Sequence, residues 1–144
     1  MHLKKAYVGA GILALGTALA FAVPATASAQ AGGDPTIRIA KQAKLSDGGV
    51  TDTVTLSLAC PAGMQAHLST TVTQKLGTFE VAFDTGTLDV VCQGGTQKVQ
   101  IPVAGNPLAP YRPGTADATA HGEFYDSSVG YFIVNDQRLI TNVA

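Results

Sequence analysis

Several groups of side chains in this chain have types and spacings that could carry chemistry. His121, Asp126, Ser127 and Ser128 bring the residue types of a nucleophile–base–acid relay into one short stretch. Such a relay is defined by geometry in space rather than by closeness in sequence. The G-x-S-x-G turn that would present a serine does not occur. The stretch reads as a polar turn between strands, with His121 an outward residue beside Asp117 and Thr119. Glu80, Asp84 and Asp89 could approach one another as paired carboxylates, but glycoside hydrolysis needs two of them flanking a cleft. Their surroundings fit a solvated face. A D-x-D-x-D-G calcium loop is missing, and His67 and His121 lack a third ligand with which to share a metal. The chain is therefore expected to be non-enzymatic, with no cofactor and no metal.

Two further groups are more informative. Cys60 and Cys92 form an even pair, and in an exported chain such a pair reads as a disulfide. Five of the aromatic residues, Tyr111, Phe124, Tyr125, Tyr131 and Phe132, fall in the final third. Adjacent residues on a strand point to opposite faces, so one ring of each pair, Phe124–Tyr125 and Tyr131–Phe132, should be buried and the other exposed. A hydroxyl tolerates water, which makes Tyr125 and Tyr131 the outward members. With His121 and Glu123 they form a candidate binding surface, in which rings give contact area and polar groups orient a ligand. The competing expectation is that all four rings close the core at one end of the domain.

The elements that must position these residues are strands. A period of two runs almost throughout the chain after residue 35, and no segment keeps a period of 3.6. It is clearest at 50–60, where Val50, Val54, Leu56, Leu58 and Cys60 share one face and Thr51, Thr53, Thr55 and Ser57 the other. Ile37, Ile39, Ala43 and Leu45 make a matching strand, with Lys41 breaking the inward set. Ser46-Asp-Gly-Gly49 supplies the hairpin between them. Further strands are expected at 66–74 (Ala66, Leu68, Val72 inward), 78–83 (Phe79, Val81, Phe83 inward) and 87–92 (Leu88, Val90, Cys92 inward). Three more follow at 97–103, 115–124 and 131–142. Turns are expected at Pro61–Gly63, Asp84–Gly86, Gln93–Gly95 and Arg112–Gly114. Cys60 and Cys92 share parity with their inward neighbours, as a bridge through the interior requires. The fold class that follows is all-β: an antiparallel sandwich of seven or eight strands with one disulfide.

Ahead of this domain, Met1–Lys5 is positively charged, an apolar run extends from Ala6 to about Val23, and Ala27 and Ala29 stand at the positions a signal peptidase reads. Residues 1–29 are expected to be a signal peptide, 30–35 a flexible leader and 36–144 the β domain. The run is mostly Ala and Gly and ends at Pro24, which favours cleavage over a membrane anchor. No cysteine stands at the cut to carry a lipid, and Leu139–Ala144 is not a hydrophobic tail, so the product is expected to be secreted, extracellular and free of the membrane. Without the signal, seven Lys/Arg face ten Asp/Glu, a net charge of −3 with no basic run. That balance argues against nucleic acid as a partner.

The stretches 45–63 (LSDGGVTDTVTLSLACPAG), 72–77 (VTQKLG), 90–103 (VVCQGGTQKVQIPV) and 111–120 (YRPGTADATA) resemble small secreted actinobacterial proteins with an immunoglobulin-like β-sandwich domain. The resemblance implies a Cys60–Cys92 bridge and no catalytic residue. The chain departs from antibody domains in having no Trp and in a closer cysteine spacing. The function expected is a binding or structural module at the cell exterior, meeting a protein or glycan. The alternative is an inhibitor of secreted hydrolases or a small-molecule carrier.

Overall fold

Period-two alternation becomes seven strands: β1 (Thr36–Ser46), β2 (Thr51–Ala59), β3 (Gln65–Lys75), β4 (Val81–Val91), β5 (Thr96–Ala104), β6 (Gly114–Asp126) and β7 (Gly130–Val143). They belong to a computed structural model that describes residues 33–144; the expected signal peptide and the start of the leader lie outside the described residues. Threonine recurs three times in each of β2 and β3 because branched side chains suit a pleated, half-buried surface. The β1–β2 hairpin closes through a short 3-10 turn at Asp47–Gly49. Its three residues all have φ between +54° and +89°, which explains the two glycines there.

The seven strands form one sheet in the order β4-β3-β6-β7-β1-β2-β5. Every pairing is antiparallel except β1 with β7, which runs parallel over Gln42–Lys44 and Thr141–Val143. The sheet is therefore mixed, a correction to the strictly antiparallel expectation. The reason lies in β1, which pairs with β2 on one side and β7 on the other and so joins what would otherwise be two layers. Between Ile39 and Ala43, four residues of β1 span the length of two in β2. This bulge carries Lys41 out to solvent and keeps Ile37, Ile39, Ala43 and Leu45 in phase with the interior. Where backbone pairing with β7 has not yet begun, two side chains take its place. The Ile39 N–H donates to Asp136 Oδ2 at 2.8 Å, and Arg138 donates to the Ile39 carbonyl at 2.9 Å.

The sheet curls until its edge strands β4 and β5 pack side by side, giving a barrel-like body. Gly86 on β4 approaches so closely that a Cβ there would stand 2.3 Å from the Pro102 carbonyl oxygen on β5. This seam overturns two expectations. No turn forms at Asp84–Gly86; β4 is a single strand from Val81 to Val91, and the reversal before it is closed by the Leu76 N–H donating to the Glu80 carbonyl. Phe79, Val81 and Phe83 consequently face outward, Phe79 almost wholly exposed, while Ala82 and Gly86 face inward. A residue without a side chain is required at Gly86 because the strands meet there, and with Gly86 inward the parity of β4 sends Val81 and Phe83 outward, while Leu88 and Val90 pack against the core as expected.

The interior is filled by Ile39, Val54, Leu56, Leu58, Met64, Leu68, Val72, Ile101, Val103 and Phe124, all fully buried. Cys60 and Cys92 are bonded, with Cα atoms 5.7 Å apart, and tie the end of β2 to the residue that follows β4. At the opposite end, the segment between β5 and β6 folds over the core. The Tyr111 hydroxyl donates to the Val72 carbonyl at 3.1 Å. Gln74 clasps Arg112 through its N–H and its carbonyl, both at 2.8 Å. Beneath this cover lies Asp52, wholly buried, with neither carboxylate oxygen hydrogen-bonded to any of the described residues.

Candidate functional site

The outer face of β4, β3, β6 and β7 is a grid fixed by strand register. One row reads Val91, Gln65, Tyr125, Tyr131, and the next Asp89, His67, Glu123, Ile133. Beyond them come Thr87, Ser69, His121, Asn135 and then Thr85, Thr71, Thr119, Gln137. The first two rows enclose a shallow surface groove of about 600 Å³, lined by His67, Asp89, Val91, Glu123 and the two tyrosines, among others. In the last two rows β4 and β3 present short hydroxyl side chains, of which Thr71 and Thr85 bond to each other at 2.7 Å.

The tyrosines are set by the β6–β7 hairpin. Tyr125 and Tyr131 are direct cross-strand partners, as are Phe124 and Phe132 one step earlier. Parity then sends Phe124 fully into the core and leaves Tyr125 and Tyr131 more than half exposed, at 55% and 56%. Asp126 holds the hairpin tip, accepting from the backbone N–H groups of Ser128 (2.7 Å) and Val129 (3.2 Å) and from the Ser128 hydroxyl. Those bonds lower the Asp126 pKa below the usual carboxylate range. Partial desolvation and then the neighbouring Glu123 charge raise that of the Tyr131 hydroxyl.

Across the groove, His67 Nδ1 lies 2.5 Å from Asp89 Oδ1, and the hydrogen bond to Asp89, followed by its charge, raises the imidazole pKa above its ordinary value. Glu123 approaches from the other side of His67. The groove thus holds two carboxylates, one imidazole and two phenol rings, with no lysine or arginine among its lining residues. Such a set can bind and orient a ligand through ring faces and charge-assisted hydrogen bonds.

Of the four residues expected to form the surface, Tyr125, Tyr131 and Glu123 line this groove. His121 lines a neighbouring one with Asn135, to which its Nδ1 bonds at 2.7 Å, and touches the first site only through Glu123, 3.5 Å from its Nε2. Alternation in 66–74 already places His67 outward, but its partners Asp89 and Glu123 come from strands whose pairing no local pattern specifies. The other groupings weighed from sequence are dispersed. Asp84 points inward toward Tyr111 while Asp89 points outward, and Asp126 is engaged in its turn rather than near His121. No protein-family model and no curated protein matches the chain.

Proposed function

We propose that this protein is an extracellular, non-enzymatic binding module of immunoglobulin-like architecture that meets its partner, a protein or a glycan, through the groove at Tyr125 and Tyr131. The observation that carries this reading is the side-by-side exposure of two cross-strand tyrosines over a groove that also holds His67, Asp89 and Glu123. Large rings left in water on a rigid sheet give contact area at little cost in ordering. The position of the groove, on the outer face rather than within the barrel, favours a module over a small-molecule carrier.

The strand order supports the immunoglobulin-like reading, since a first strand shared between β2 and β7 is how such domains pass from one layer to the other. The bridge differs from the antibody pattern, joining β2 to the far end of β4 rather than to β6. Export after cleavage near Gln30 agrees with the disulfide, and no helix among the described residues is long and apolar enough to cross a membrane. The small secreted actinobacterial proteins it resembles fit the same picture.

The test is capture of partners from culture supernatant and cell wall by the mature chain and by a Tyr125→Ala/Tyr131→Ala variant. The variant is expected to lose capture while its Tm stays within about 2 °C of the parent, because exposed positions contribute little to stability. Undiminished capture by the variant would remove the groove from consideration.

A further inference from the structure

We propose that the groove selects a positively charged side chain, an arginine or lysine projecting from a protein partner, held between the tyrosine rings and the carboxylates of Asp89 and Glu123. This rests on reading the groove as the binding surface.

Charge complementarity carries the inference. The two carboxylates reach the groove from β4 and β6, on opposite sides of β3, and the only basic lining group is the imidazole of His67. That imidazole shows what the site accepts, with an N–H donor placed 2.5 Å from one carboxylate and facing the other. Phenol rings present their negative faces to a cation, and a flanking carboxylate supplies the rest of its coordination.

The distribution over the whole body points the same way. Outward charged residues on the strands of this face are Asp89, Asp117 and Glu123, against Lys75 alone. On the opposite face, the outward charges of β1, β2 and β5 are Arg38, Lys41, Lys44 and Lys98, with no acid among them. A basic partner is therefore drawn to the tyrosine side and repelled from the other. Protonated His67, faced by Asp89 from β4 and Glu123 from β6, with His121 beyond Glu123, competes for the same carboxylates. Binding should strengthen as His67 loses its proton.

The experiment titrates the mature chain with acetyl-Gly-Arg-Gly-amide and with the same peptide carrying citrulline, which keeps the shape and removes the charge. Backbone amide NMR shifts locate and quantify binding. The expected result is saturating shifts centred on His67, Asp89, Glu123 and Tyr125, and roughly ten-fold weaker binding of the citrulline peptide. Binding should also be weaker at pH 6 than at pH 8, and Glu123→Gln should weaken it where Asp117→Asn on the same face does not. Equal affinity for the two peptides, or shifts away from the groove, overturns the inference, as does preference for a neutral oligosaccharide. If the double tyrosine variant loses its captured partner while arginine and citrulline bind alike, the groove remains a binding surface and only its cation selectivity falls.

Discussion

Asp52 is the residue whose placement is hardest to reconcile with stability alone. It follows the parity of Val54 and Leu56 into the core, and its carboxylate oxygens find no hydrogen-bond donor among the described residues. Burial raises its pKa to about 6, above the ordinary 3.8. Between those values the folded chain binds more protons than the unfolded one, so stability falls as pH rises through that window and the penalty persists at neutral pH. Asp52→Asn is accordingly expected to stabilise the protein by about 1–3 kcal/mol at pH 7.5 and by almost nothing at pH 3.5. Urea denaturation at the two pH values checks this, and an equal effect at both would refute it. The inward position of Asp52 was legible, since it stands two residues before Val54 on the same parity. The split of Phe124 inward from Tyr125 and Tyr131 outward follows equally from alternation, because a β-strand has only two faces.

At the scale of the element, most strands can be found from alternation, and the exception shows where local pattern stops being sufficient. The run Phe79-Val81-Phe83 looks like an inward face, yet β4 turns Gly86 inward because β5 lies against it there, which leaves Val81 and Phe83 outward. That contact crosses from β4 to β5, which share no ladder of backbone pairs, and nothing near Phe83 encodes it. The parallel β1–β7 pairing and the approach of Asp89 and Glu123 to His67 were out of reach for the same reason. The closeness of the seam can be probed with one methyl group. At Gly86 an added Cβ meets the Pro102 backbone, which cannot move aside, whereas at Gly122 it meets the ends of the Ile37, Phe124 and Leu68 side chains. Gly86→Ala is expected to cost at least about 2 kcal/mol and Gly122→Ala less, since side chains can shift to relieve overpacking. Chemical denaturation of both variants decides the order, and the reverse ranking would mean that β5 yields more readily than its packing suggests.

For the molecule as a whole, the disulfide was legible from composition and parity, although the place of its two strands in the sheet order was not. Cys92 stands just past an edge strand, and the bridge closes a loop whose cysteines are 32 residues apart in sequence. The chain-entropy account gives about 3.5 kcal/mol for such a loop. The Cys60→Ala/Cys92→Ala variant is expected to melt roughly 15 °C lower while keeping the far-ultraviolet signature of the sheet. A loss within 3 °C would show that the reduced chain is already constrained by other means.

The strand shared by both sides of the sheet also governs how the protein responds to load. Because β1 and β7 run parallel, tension applied between Thr36 and Val143 drags the two strands past each other lengthwise. Their cross-links, including the Asp136 and Arg138 bonds to Ile39, must then give way together rather than one after another as in peeling. Forced rupture is governed by the rate of unfolding rather than by equilibrium stability. In single-molecule stretching between those ends, Arg138→Ala should lower the rupture force while Lys98→Ala on the outer face of β5 leaves it unchanged. Pulled by its two ends, the domain would thus behave as a stiff, shear-resistant link.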